Sequence, residues 1–168
     1  MSYLCANNKS QLLKKMANTY TQIYLQFVFA VKGRQSLLHD SFRDELHKYI
    51  TGIIENRNQK LITINSVEDH IHIFIGFGTT MSIADLLHDI KMNSSKFIEK
   101  KNWVKGKFAW QEGYGGFSYS RSHIDRVVKY INNQQEHHKK RSFKDEYLDY
   151  LKKYDVVYDS RYLFDWLE

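Results

Sequence analysis

Apolar and polar residues alternate from Tyr20 to Lys32 (YTQIYLQFVFAVK). Successive side chains of a strand point to opposite faces. Ile23, Leu25, Phe27, Phe29 and Val31 therefore share one face, and Tyr20, Gln22, Tyr24 and Gln26 the other. The period then lengthens: Phe42, Leu46, Tyr49, Ile50, Ile53 and Ile54 recur at helical spacing over Phe42–Asn56. Lys60–Val67 and Asp69–Phe77 read as two more strands, joined by a tight turn at Glu68 and Asp69. Ser82 is expected to cap a helix whose apolar stripe is Ile83, Leu86, Leu87, Ile90, Phe97 and Ile98. A basic, aromatic loop over 100–107 leads into an extended segment, Phe108–Tyr119, containing Gly113, Gly115 and Gly116. Ser122 is then expected to cap a helix reaching about His138, with Ile124, Val127, Val128 and Ile131 on its buried side. The aromatic, mixed-charge tail from Phe143 predicts a helix packing back on the body.

This order is strand, helix, strand, strand, helix, short strand, helix. It predicts an α+β fold, a ferredoxin-like or RRM-like sandwich with helices on one face of an antiparallel sheet. The other face would be left for a ligand, a partner subunit or both. A chain of 168 residues suits one domain. Residues 1–15 are polar and read as a flexible extension, with a single domain over 16–168 and Met16 as a candidate start.

Composition narrows the partners. The charge balance is 25 − 19 = +6, which favours anionic partners such as nucleic acid. One cysteine, Cys5, excludes a disulfide framework and a cysteine zinc cluster, and fits a reducing cytoplasm. No apolar run approaches the ~20 residues of a membrane helix.

The candidate chemistry lies in two segments. In Asp69-His70-Ile71-His72-Ile73, period 2 puts His70 and His72 on one face and the isoleucines on the core face. Two imidazoles so placed can reach one divalent ion; an exposed surface pair on a half-open sheet is the other reading. On the late helix, Tyr130 and Gln134 are four apart and so share a face. A phenol can attack phosphorus when a metal makes the phosphate more electrophilic. An amide oxygen one turn along suits a hard cation such as Mg²⁺ or Mn²⁺. On Tyr130 alone, a plain amphipathic surface tyrosine, one of 12, is the favoured reading. His137 and His138 read either as further ligands or acid–base groups, or as a basic helix end.

His70-x-His72 in a strand followed by Tyr130-x-x-x-Gln134 in a late helix resembles the single-tyrosine HUH transposases of the insertion-sequence-200/605 type. YTQIYLQFVFAVKGRQ, NSVEDHIHIFIG, SSKFI and FAWQEGYGGFSYS carry the resemblance over roughly residues 17–165. It implies that Tyr130 attacks a DNA phosphate, keeps a 5′-phosphotyrosine link and frees a 3′-OH. It implies that His70, His72 and Gln134 hold Mg²⁺ or Mn²⁺. It further implies single-stranded DNA with hairpin ends as substrate, and a homodimer whose active site is shared between subunits, with Gly113, Gly115 and Gly116 as a movable connection to the tyrosine helix. Lys91, Lys96, Lys105 and Arg121 are candidate DNA contacts, and Trp103, Phe108 and Trp110 are either base-stacking aromatics or core. The alternative is a non-catalytic or domesticated, RRM-like module binding single-stranded nucleic acid, which would expose aromatics on its central strands. A second is another HUH enzyme, a rolling-circle replication or plasmid-transfer nuclease, against which stand the small size, the single candidate tyrosine and the whole-chain resemblance. A zinc hydrolase fits less well, because no further His or Cys stands at a zinc spacing from the pair.

Overall fold

The computed structural model describes residues 20–138 and 142–163, so the extension expected over residues 1–15 lies outside the described residues. Four strands, β1 (Tyr24–Ala30), β2 (Lys60–Ser66), β3 (His70–Gly76) and β4 (Gly115–Tyr119), form one antiparallel sheet in the order β2-β3-β1-β4. Helices α1 (Asp40–Asn56) and α2 (Ile83–Lys100) connect β1 to β2 and β3 to β4. The result is the expected α+β, ferredoxin-like arrangement. The turn between β2 and β3 is tight, closed by Val67 N–H donating to the His70 carbonyl at 3.1 Å. The Ser82 hydroxyl accepts from the Asp85 amide at 3.0 Å and caps α2 as its sequence predicts.

Alternation in β1 and β3 sends Leu25, Phe27, Phe29, Ile71, Ile73 and Ile75 to one face, where they pack on Leu46, Ile50 and Ile54 of α1 and Leu86 and Ile90 of α2. The aromatics after α2 join this core. Trp103 stacks on Phe42 at 4.6 Å, and Trp110 meets Phe29 edge-on while donating its indole N–H to Ser94 Oγ at 2.9 Å. Phe108 is fully buried, so all three serve packing rather than base stacking. Only Gly115–Tyr119 of the extended segment pairs as a strand; Trp110 makes a single bridge to Val31.

The second face of the sheet is not open, contrary to the sequence reading. Three more helices, α3 (Ile124–Asn132), α4 (Gln134–His138) and α5 (Phe143–Lys153), follow β4. Val127 and Ile131 of α3 cover Phe74. Phe143, Tyr147, Tyr150 and Leu151 of α5 cover Val28, Ala30 and Phe117. The tail therefore packs back as expected, but onto the face reserved for a ligand. An amphipathic helix linked by a short connection buries its stripe on the nearest unsatisfied apolar surface.

Two features around α3 also differ from expectation. Ser122 does not cap it: Ser120 and Ser122 approach His123 Nδ1, and a 3-10 turn, Arg121–His123, leads in. Nor does the helix run unbroken to His138. It stops at Asn132, where Asn65 Nδ2 on β2 donates to the carbonyls of Ile131 (2.7 Å) and Asn132 (3.3 Å). A side chain that satisfies end carbonyls stabilises a helix stop.

Gly115 and Gly116 lie within β4, paired with Val28 and Phe27. A Cβ on Gly115 would stand 2.8 Å from Tyr147 Cε2, so this glycine lets α5 approach the sheet. Gly115→Ala is expected to destabilise by about 1–3 kcal/mol through overpacking, read as a lower urea midpoint at unchanged slope.

Candidate active site

β3 fixes the histidine pair. His70 and His72 project to the α5 side, both fully buried, with ring centroids 5.1 Å apart. The exposed-pair reading is thus excluded by the covering helices. Asp69 Oδ1 lies 2.6 Å from His70 Nδ1, which holds the proton there and turns the Nε2 lone pair inward. His72 Nδ1 lies 3.0 Å from the Gln26 amide, which also meets the hydroxyls of Tyr150 (3.0 Å) and Tyr119 (2.9 Å). Gln26 Nε2 faces His72 Nδ1 and donates to the Tyr150 hydroxyl, while its Oε1 accepts from the Tyr119 hydroxyl; a half-turn of this amide would let His72 Nδ1–H donate to Oε1 and leave Nε2 as a lone pair for a metal. Burial pushes the His72 pKa down to about 3 and lowers that of His70, so both rings are neutral, the form a metal ligand needs.

Facing them is a residue that the sequence reading missed. Glu146 of α5 is buried, with Oε1 3.6 Å from His72 Nε2 and Oε2 4.0 Å from His70 Nε2. The Tyr130 hydroxyl and Gln134 Nε2 (3.0 Å) donate to Oε1, and His138 Nε2 approaches Oε2 to 3.0 Å. Burial alone would raise the Glu146 pKa, but the hydrogen bonds from His138 and the Tyr130 hydroxyl help hold it below the ordinary carboxylate value. The Tyr130 phenol is pushed up by burial and by this carboxylate. A signal for Glu146 was present: Phe143, Glu146, Tyr147 and Tyr150 follow helical spacing, so an acid interrupts an apolar stripe.

The donor set fits a divalent ion. His70, His72 and Glu146 offer ligand atoms within 4.8 Å of one another. His70 Nε2, His72 Nε2 and Gln134 Oε1 are buried with no hydrogen-bond partner among the described residues. One ion with bonds near 2.1 Å sets its ligands about 3.0–3.5 Å apart, so the group would draw in by about 1–2 Å to hold it. Two imidazole nitrogens with carboxylate and amide oxygens make a mixed nitrogen–oxygen set for a divalent ion.

The remaining expected residues are dispersed. Tyr130 lies over its own chain's histidine, with ring centroids 6.4 Å from His72. Gln134 opens α4 rather than continuing the tyrosine helix, yet the break still leaves it against Glu146. His138 joins the cluster; the side chain of His137 lies outside the described residues. Arg121 is exposed in the turn before α3. Lys96 is exposed on α2, across the sheet from Tyr130, and Lys105 is exposed in the following loop. Lys91 donates to the carbonyls of Gln111 (3.0 Å) and Gly113 and sits 4.9 Å over the Phe29 ring; burial lowers its pKa to about 8.

Two expectations for acid stability follow. A buried His whose folded pKa is depressed binds fewer protons than the unfolded chain, and a depressed Glu loses its stabilisation on protonation. His47, lowered to about 4 by burial, and the site histidines act below their ordinary pKa of 6.5; Glu146 acts below its ordinary 4.5. Stability of the metal-free protein is therefore expected to fall from pH 7 to pH 4.5, by up to about 1.4 kcal/mol per pH unit per histidine. A flat melting temperature across that range would contradict neutral buried histidines.

Paired inward histidines on an antiparallel sheet, opposed by a helix-borne tyrosine, are the arrangement that the resemblance to the single-tyrosine transposases implies. Residues 19–134 match the sequence model of the IS200-like transposases. The chain belongs to this family. It is 22% identical over 129 residues to the ISDra2 transposase TnpA of Deinococcus radiodurans, covering 74% of this chain and 92% of that protein. A crystal structure described as a transposase of Deinococcus radiodurans R1 superposes with TM-score 0.54 at 20% identity, over 70% of this chain and 94% of the other. A REP-associated tyrosine transposase bound to a REP hairpin gives TM-score 0.54 at 15% identity, over 72% of each. No helix among the described residues is long and apolar enough to cross a membrane. The match ends at Gln134, so α5 and its Glu146 lie beyond the family segment.

Proposed function

We propose that this transposase cuts and rejoins single-stranded DNA at the ends of its element, with Tyr130 as nucleophile and Mg²⁺ or Mn²⁺ held by His70 and His72. Gln134 and Glu146 stand as oxygen donors beside them. The observation that carries the reading is the convergence of Tyr130, Gln134 and the two unpartnered histidine nitrogens on one buried point. The ion, when bound, draws electron density from the phosphate. Tyr130 Oη bonds to phosphorus, the P–O3′ bond breaks, the phenol loses a proton and the leaving 3′ oxygen gains one. The 5′ phosphate stays on Tyr130, and attack by another 3′-OH reverses the reaction without ATP. Glu146 and the ring of Tyr150 orient the phenol before attack.

The homodimer implied by the resemblance belongs to this proposal, with one condition. Tyr130 already lies on its own chain's histidines, so a shared site requires α3 to swing out and exchange. Hairpin DNA is the proposed substrate by likeness to the hairpin-bound REP-associated transposase. Arg121, Lys96 and Lys105 are proposed phosphate contacts, whereas Lys91 is engaged by carbonyls. The non-catalytic alternative loses its main support, because Phe74 is fully buried under α3 and cannot stack bases.

The test is a denaturing gel of purified protein with labelled single-stranded DNA from its element ends. A covalent protein–DNA band that requires Mg²⁺ or Mn²⁺ is expected. Tight binding without a band under either metal would leave only a binding module.

A further inference from the structure

Beside Tyr130, on the side away from His70, a cavity of about 270 Å³ opens between α3, β4 and α5. Its inner wall is Tyr130, Glu146, Tyr150 and Gln26; its rim carries Arg126 of α3 with Asp149 and Lys153 of α5. Both cations are exposed, and neither has a carboxylate partner among the described residues. Lys153 instead rests over the rings of Tyr119 (5.7 Å) and Tyr154 (5.5 Å), which aims it across the mouth. Two exposed cations at one cavity mouth can each take a phosphate of a passing strand. The cleft on the far side of His138, about 510 Å³, is different: Asp40, Glu68 and Asp69 line it, and its Arg43 is already engaged by Asp40 and the Ser66 carbonyl. That cleft has three carboxylates against an engaged arginine, whereas the Tyr130 side sets Arg126 and Lys153 against Glu146 and Asp149.

We propose that Arg126 and Lys153 grip the sugar–phosphate backbone of the DNA strand on the 3′ side of the cut, the strand whose 5′ phosphate becomes joined to Tyr130. This rests on the function proposed above. In-line displacement puts the leaving 3′ oxygen on the far side of phosphorus from the attacking phenol. The upstream strand therefore departs away from Tyr130, while the downstream nucleotide, attached through an equatorial oxygen, can turn alongside it into this cavity. Holding that strand keeps the covalent product seated until a new 3′-OH arrives. Arg126 lies within the segment that matches the family model and Lys153 beyond it, so α5 supplies only half of the grip.

The experiment measures binding of a 3′-labelled oligothymidylate of about twelve nucleotides, with either a 5′ phosphate or a 5′ hydroxyl, by fluorescence anisotropy in EDTA, where no cleavage occurs. Wild-type protein is expected to prefer the 5′-phosphorylated strand. Arg126→Gln and Lys153→Gln should each cut that preference by roughly 3–10-fold and reduce the slope of log K against log salt by about 0.7 per lost phosphate contact. Lys153→Arg should restore it, and Lys48→Gln, exposed on α1 across the sheet, should change nothing. Equal affinity of the wild type for the two strands, or an unchanged slope in the Arg126→Gln/Lys153→Gln protein, overturns the proposal while leaving the covalent-band test of function intact. If neither strand binds, the grip is overturned as well, and the gel alone then decides whether the chain cuts DNA.

Discussion

Tyr130→Phe is expected to abolish the covalent protein–DNA band, lowering strand cleavage by at least about 10³-fold, while single-strand affinity stays within about threefold of wild type. The substitution removes one oxygen and keeps the ring that packs near His72 and Tyr150. The nucleophile is lost outright, so no residual phosphotyrosine can form. The hydroxyl also donates to Glu146, and burial of a charged acceptor with one donor fewer costs about 1–3 kcal/mol. A modest drop in melting temperature should therefore accompany the loss of activity. A band of undiminished intensity in Tyr130→Phe would assign the nucleophile to another tyrosine of the chain.

The second large effect is expected from Glu146→Gln. Glu146 is where the donors Tyr130 and Gln134 converge with the imidazole of His138. Gln keeps the size but loses the charge. Mn²⁺ affinity, followed by calorimetry or by the manganese resonance signal, is expected to fall at least tenfold, about 1.4 kcal/mol. Strand cleavage should fall with it and recover in part at high Mn²⁺. His72→Ala should weaken the ion more severely, because it removes a nitrogen ligand. If Glu146→Gln bound Mn²⁺ as tightly as wild type and lost only cleavage, the carboxylate would act on Tyr130 alone. Measuring metal affinity and cleavage separately distinguishes these two roles.

Because α5 supplies Glu146, Tyr150 and Lys153, the site described here is a composite. The family segment brings the histidines, Tyr130 and Gln134; the helix after it closes the open sheet face and contributes a carboxylate to the same point. Truncation before Ser142 would expose Val28, Ala30 and Phe117 to water, so removal of α5 disturbs packing as well as chemistry. Single substitutions are the cleaner probes.

Local periodicity determined a great deal of this protein. Alternation in β1 and β3 set which side chains meet α1 and α2, and it put His70 and His72 together on the opposite face, because period 2 is a property of any strand. The Ser82 cap, the turn at Glu68 and Asp69, and the helix from Phe143 were equally local. Tertiary structure alone decided the rest. Whether the histidine face was open depended on where the tail helix docked, and a helix's own pattern does not name its partner surface. The stop after Asn132 depended on Asn65, distant in sequence, reaching its carbonyls. Glu146 read locally as a flaw in an apolar stripe; only docking against β3 turned that buried charge, satisfied by Tyr130, Gln134 and His138, into the centre of the site.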